Sequence, residues 1–324
     1  MTTLYTAELR TDRSIKRFDD IRQLLPDVEN PTPLVRLNRV VEGEVYLKLE
    51  WFNPFGSVKD RAAAYMLEGL RHRGELEGRH LVEALSGNTA IALAALAALE
   101  DIPIVITIPD GVPEEKKILL RMLGAEVWPT PDDLCPVDNP KDGAIALARS
   151  LALSRGANPY AWPDQYANPD NVRAHYETTG PEIWRQTEGK VRTFVAGYGT
   201  CGTISGVGRF LKGQDSTIRV IAVEPNPGHR LPGLKSFGES KVPDILDQEL
   251  VDEVVRIGDQ PAYEMTKRLY REEALMVGPS TGAIVAALSG IEDPGLTVGI
   301  SPDSGFKYTS FFTDYLGTEG LPRI

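Results

Sequence analysis

The sequence predicts an α/β protein built as two three-layer αβα domains of mostly parallel sheet. Three observations carry this. Short β-rich runs alternate with helical periodicities, the pattern of βαβ units. The series runs twice, divided by a Pro- and Asp-rich stretch at residues 129–142 that reads as a loop. The chain has 324 residues, 42% hydrophobic and 25% charged, enough for roughly two domains with their own cores.

The first series opens with a strand at residues 45–49 (VYLKL). An amphipathic helix follows at 57–72, with Ala63, Met66, Leu67 and Leu70 on one stripe. Residues 80–84 read as a strand and 88–99 as an Ala/Leu-rich helix. The run 102–108 (IPIVITI) is almost continuously apolar, as in a strand buried on both faces. Residues 115–123 read as helix, 126–128 as extended chain and 144–154 as helix. The second series has strands at 193–196, 220–223, 253–257 and 297–301, with helices at 203–211, 262–271 and 283–288. In such sheets ligands sit outside the carboxyl ends of the strands, where helix N-termini point.

Composition excludes several functions. A net charge of -11 argues against a nucleic-acid partner, because phosphate contacts need clustered Lys and Arg. Cys135 and Cys201 lie far apart and have neither metal-ligand spacing nor a disulfide framework, which fits a reducing cytoplasm. The N-terminal residues lack the apolar core of a secretory signal, and the longest small-apolar run, 90–99, is too short to span a bilayer.

Four segments point to chemistry. Residues 193–203 (TFVAGYGTCGT) run from an apolar strand through a Gly-rich turn into a helix. Glycines allow close backbone approach to an anion, and a helix start offers free N–H groups. Gly199, Thr200, Cys201, Gly202 and Thr203 therefore read as a phosphate cradle. The same segment matches G-x-G-x-x-G at residues 197–202, with Glu224 ending the next strand, so a nicotinamide dehydrogenase is an alternative. In LEWFNPFGSVKDR (49–61), Ser57 reads as an N-cap and Lys59 falls in the first helical turn. Position alone favours a solvated Lys59 paired with Asp60; the functional reading is a desolvated amine that condenses with an aldehyde. LSGNTA (85–90) is a second Gly-containing helix start, with Ser86, Asn88 and Thr89 as donors for a carboxylate or phenolate. In GPSTG (278–282), Ser280 either caps a helix or donates to a ring nitrogen.

Together, LEWFNPFGSVKDRAA, SGNTAIALA, GYGTCGTISGVGRFLK and GPSTGAIVAA have the order and spacing of the cysteine synthase family. That family includes O-acetylserine and O-phosphoserine sulfhydrylases and the cystathionine β-synthase core. The similarity extends to NPTPLVRL, DQYANPDNVRAHYETTGPEIW and PDSGFKY, and so covers nearly the whole chain. The resemblance implies a fold-type-II, tryptophan synthase β-like architecture. It implies a smaller mobile domain at residues 51–165 and a larger one formed by 1–50 and 166–324, with the active site between them. It further implies a homodimer; the cysteine usage points to the cytoplasm, and no C-terminal regulatory domain is expected after the core.

By the same resemblance, Lys59 holds pyridoxal 5'-phosphate as a Schiff base and later takes the Cα proton. Residues 199–203 hold the cofactor phosphate, Asn88 meets the ring hydroxyl oxygen, and Ser280 faces the pyridine nitrogen. Ser86, Gly87, Thr89 and Gln165 hold the substrate carboxylate. The implied reaction is β-replacement, making L-cysteine from an activated L-serine and sulfide; serine or threonine dehydration and cystathionine synthesis are alternatives. The chain departs from the family's usual pattern at Leu85, Ala90 and Cys201. The stretch PNPGHRLPGLKSFGESKVPDIL (225–246) is similar to phosphoserine users, with Lys235 after an LPG turn and Arg230 five positions earlier.

Overall fold

The computed structural model describes residues 17–84, 87–131, 143–154, 159–291 and 295–316. It contains two sheets. The larger has six strands in the order β1-β2-β10-β7-β8-β9. These are β1 (Leu34–Arg36), β2 (Val45–Leu49), β7 (Thr193–Gly197), β8 (Arg219–Pro225), β9 (Glu253–Ile257) and β10 (Thr297–Ser301). Only β1 runs antiparallel to its neighbour. The smaller sheet is wholly parallel, ordered β5-β4-β3-β6, from β3 (His80–Ala84), β4 (Ile104–Pro109), β5 (Glu126–Thr130) and β6 (Tyr160–Ala161).

Each sheet is covered on both faces, which is why its strands read as near-continuous apolar runs. In β7 and β8, Val195, Ile221 and Val223 face α8 (Asp259–Glu272) and α9 (Pro279–Leu288). Their neighbours Phe194, Ala196, Val220 and Ala222 pack on α6 (Gly180–Gln186) and α7 (Gly202–Gln214). In the smaller sheet, Leu81, Ile104 and Ile106 meet α1 (Lys59–His72) and α2 (Asn88–Leu99), whereas Val82, Ala84 and Val105 meet α4 (Ala144–Leu153). Two αβα sandwiches result. Among the described residues no helix is long and apolar enough to cross a membrane.

The expected elements are present with shifted ends, and several others appear. The loop expected from residue 129 starts later, because β5 continues through Pro129 to Thr130. Proline is tolerated there because β5 is an edge strand. The rest of that loop, with Cys135, lies outside the described residues. β1 and β6 are too short to leave a periodic signal. The stretch after Asn168 folds as α5 (Pro169–Ala174), a π-helical turn (His175–Thr179) and α6. After α3 (Glu114–Met122), the last helix is α10 (Thr309–Leu316).

Three of the segments that carry the expected chemistry leave the carboxyl ends of β2, β3 and β7, and the segment after β10 joins them. They open into one cavity of about 210 Å³.

Candidate active site

Lys59 enters this cavity because of the turn before it. Gly56 adopts a φ of +82°, which reverses the chain ahead of α1. Asp60 closes the turn: its carboxylate accepts the Phe55 N–H at 2.6 Å and the Ser57 hydroxyl at 3.2 Å. Asp60 is thereby committed to the backbone, and the Lys59–Asp60 pair that position alone favoured does not form. Instead Lys59 Nζ donates to Thr200 Oγ1 at 3.2 Å. Burial pulls its pKa down to about 8, against the opposing pull of the Asp303 carboxylate. An amine so placed is available in its neutral, nucleophilic form near physiological pH.

The Gly-rich turn after β7 is shaped by close packing. A Cβ on Gly199 would stand 2.7 Å from the Gly233 carbonyl, and one on Gly202 would stand 2.0 Å from Asn171 Oδ1. The first contact presses the LPG turn against the cradle. Cys201, the N-cap of α7, takes a left-handed φ of +68°. Its thiol is buried and its pKa is pushed up to about 12, mainly by desolvation, so it stays protonated. Thr200 Oγ1 accepts from both Lys59 and Asn171 Nδ2, the latter at 3.2 Å, which leaves its own hydrogen to donate. Thr203 Oγ1 lies 3.2 Å from His175 Nε2. His175 is neutral, its pKa lowered to about 3 by burial and by the Arg61 charge. The first N–H groups of α7 have no helical acceptor, and the helix dipole adds a positive potential.

Gly87, Asn88, Thr89, Gln165 and Lys235 line the same cavity as Lys59, Gly199 and Thr200. Thr89 Oγ1 donates to Gln165 Oε1 at 2.7 Å, leaving the Gln165 amide nitrogen as a donor. Lys235 is 9% exposed and its ammonium sits 4.7 Å from the centre of the Tyr166 ring. Ser280 is buried in the first turn of α9 and is not its cap; the N-cap is Gly278. Cys201, Gly202, Thr203 and Ser280 are not part of the cavity wall. Leu85 and Ser86 lie outside the described residues. Glu224, the acid of the dinucleotide alternative, accepts the Phe237 N–H at 2.8 Å and Arg256 Nε at 3.2 Å, so it is committed to the fold.

The wall also holds residues that sequence reasoning missed. Lys116 of α3 places its ammonium 5.2 Å from the Tyr308 ring centre and 5.7 Å from that of Phe311. In sequence it reads as one of two adjacent surface lysines in EEKK. With Arg230 and Lys235 it makes the wall cationic, and no Asp or Glu is among the described residues that line it.

These residues fit a phosphate-bearing aldehyde. A desolvated amine stands one hydrogen bond from a turn with no room for side chains at 199 and 202, and that turn runs straight into the unpaired N–H groups at the start of α7. The family model described as pyridoxal-phosphate dependent enzyme matches residues 25–299. The chain belongs to that family. This pyridoxal-phosphate enzyme is 41% identical over 287 residues to cysteine synthase B of Salmonella typhimurium, covering 86% of the chain and 92% of the relative. It is 38% identical over 310 residues to a cysteine synthase of Aquifex aeolicus, covering 90% and 93%. Its fold matches the crystal structure of O-acetyl serine sulfhydrylase isoform 3 from Entamoeba histolytica with a TM-score of 0.83 at 31% identity, covering 97% of this chain and 96% of that one.

Proposed function

We infer that the cavity makes L-cysteine by β-replacement from an activated L-serine and sulfide, with O-phosphoserine preferred over O-acetylserine as donor. Cysteine formation is supported by the names of the bacterial relatives. The donor preference rests on one observation: Lys116, Arg230 and Lys235 line a cavity with no carboxylate among its described lining residues, in a protein of net charge -11. A phosphate ester with a free α-carboxylate brings roughly three negative charges at neutral pH. An acetyl ester brings one.

Pyridoxal phosphate, when bound, supplies the electron sink for the pair left at Cα. Residues 199–203 and the start of α7 hold its phosphate, Lys59 its reactive end, Asn88 its ring oxygen and Ser280 its ring nitrogen. Gly87, Thr89, Gln165 and Ser86 orient the donor's carboxylate. Lys59 Nζ takes the Cα proton, which its lowered pKa suits. Lys235 stabilises the departing phosphate as a point charge. Tyr308 and Phe311 close the cavity against water. The assignment of residues 51–165 to a smaller layer that moves on substrate binding is supported by its separate sheet and cores. The homodimer rests on family resemblance alone. A cytoplasmic site of action is supported by the free, buried thiol of Cys201.

The test is the ratio of kcat/KM for O-phosphoserine and O-acetylserine with sulfide. Wild type is expected to favour phosphoserine. Lys235→Ala loses one charge-assisted hydrogen bond, about 1.5–3 kcal/mol, and the ratio falls about ten- to a hundredfold. A wild-type ratio favouring acetylserine rejects the donor assignment. An unchanged ratio in Lys235→Ala removes that residue from it.

A further inference from the structure

The segment from Pro302 to Tyr308, at the carboxyl end of β10, touches the segments that carry Lys59, Asn88 and Ser280. Its Pro302 carbonyl accepts the Val58 N–H at 2.9 Å, one residue before Lys59. Asp303 bridges Ser57 and accepts the Gly278 N–H at 3.1 Å, two residues before Ser280. Its side chains converge on Asn88. Asn88 Nδ2 donates to Asp303 Oδ2 at 2.5 Å, and Lys307 Nζ donates to Asn88 Oδ1 at 3.0 Å. Lys307 also donates to the Gly56 carbonyl at 2.9 Å, and the Tyr308 hydroxyl donates to Asp303 Oδ2. The packing is tight: Asp303 is 2% exposed, and a Cβ on Gly278 would stand 2.2 Å from its Oδ1.

The chemistry of the two partners decides how the Asn88 amide lies. An ammonium only donates and a carboxylate only accepts. Oδ1 therefore faces Lys307 and Nδ2 faces Asp303. The Nδ2 edge, which also lies within reach of the Tyr308 hydroxyl, is the side that carries hydrogens, so by that edge Asn88 meets an acceptor. A ring oxygen that meets it is held as an acceptor, in its deprotonated form. An amide released from these partners can turn and present Oδ1, which suits the protonated oxygen instead.

We propose that Asp303 and Lys307 are positioning residues that lock the Asn88 amide as a donor toward the cofactor's ring oxygen. This rests on the assignment of Asn88 as the ring-oxygen contact. Neither residue touches the reacting atoms; on the ring oxygen both act through Asn88, while Asp303 also adds its charge to the surroundings of Lys59.

The absorption spectrum of the bound cofactor follows the balance between protonated and deprotonated ring oxygen, so it reads the lock without turnover. Spectra of the full-length holoenzyme are compared for wild type, Lys307→Met, Lys307→Arg, Asp303→Asn and Asn88→Ala, at matched cofactor content and with melting temperatures recorded. Lys307→Met and Asp303→Asn are expected to shift absorbance from the long-wavelength band to the short-wavelength one, as Asn88→Ala does. Lys307→Arg, which still only donates, is expected to restore most of the wild-type spectrum. Wild-type spectra for both Lys307→Met and Asp303→Asn, with a shift in Asn88→Ala, overturn the lock and leave the Asn88 assignment standing. A wild-type spectrum in Asn88→Ala overturns that assignment and the lock with it. Should Asp303→Asn not fold, Lys307→Met alone decides, since Lys307 is not part of a buried ion pair among the described residues.

Discussion

At the residue scale, Lys59 is defined by what surrounds it. A lysine in the first turn of a helix is badly placed for the helix dipole, and in water it would stay protonated. Burial brings its pKa from 10.5 to about 8. Because the folded state holds this proton less tightly than the unfolded chain, burying the amine costs stability below pH 8, and the cost vanishes as pH rises toward 10.5. With Lys59 in its proposed role, the same shift sets how readily the protein takes up its cofactor. The rate at which apo-protein binds pyridoxal phosphate covalently is expected to rise through pH about 8. A rise centred near the ordinary lysine value would contradict the buried amine. Lys59→Ala is expected to lower replacement turnover by at least about 10²–10⁴-fold, the range of a general base, while retaining cofactor through the cradle. Borohydride reduction and peptide mapping of wild type should label Lys59; a label on another lysine refutes its role.

At the element scale, the start of α7 is seated directly on the backbone of α5 and its π-helical turn. A Cβ on Gly206 would lie 2.4 Å from the Val172 carbonyl and 2.7 Å from His175 Cβ. Neither neighbour is a flexible side-chain end. Gly206→Ala is therefore expected to destabilise by about 1–3 kcal/mol through overpacking. It should also weaken cofactor binding, because His175 meets Thr203 in the cradle. Gly213, in the last turn of the same helix, has nothing within 4 Å of a built Cβ. Gly213→Ala should be neutral or stabilise by up to about 1 kcal/mol, the difference in helix propensity. Denaturant titrations of the pair separate packing from propensity, and equal effects at both positions would refute the packing account.

At the scale of the whole molecule, a buried ion network joins the layers. Arg61 Nε and Nη2 bind Glu50 at 2.7 and 3.0 Å, and Nη1 and Nη2 bind Glu182 at 2.5 and 2.9 Å. Lys48 Nζ completes it, 2.7 Å from Glu182 and 2.8 Å from Gln186. These groups come from α1, β2, the turn Glu50–Phe52 and α6, so the network ties the helix of Lys59 to the larger sheet. Desolvation would raise the Glu50 pKa, but the Arg61 and Lys48 charges prevail and hold it near 2. Two cations balance two anions. Arg61→Met leaves both carboxylates facing Lys48 alone and is expected to cost about 3–5 kcal/mol. Thermal and denaturant melts measure it; a loss below about 1 kcal/mol would mean that the network does not hold α1 in place.

The sequence by itself determined the order of the longer strands and helices, the two αβα layers and the glycine-rich turns, because these depend on periodicity and on backbone freedom within a few residues. The family motifs also picked out Lys59, Asn88 and residues 199–203 as the proposed cofactor contacts. What local reasoning missed depends on distance along the chain. Asn88 meets Asp303 and Lys307 across 215 and 219 positions, and Thr203 meets His175 across 28. Lys116 reads as a surface charge until Tyr308 and Phe311 are folded over it. Whether Lys59 is a solvated charge or a neutral amine was equally undecidable from its neighbours, since Asp60 offered a partner one residue away. Only the tertiary structure decided it, because desolvation is a property of the packed interior and not of the chain that passes through it.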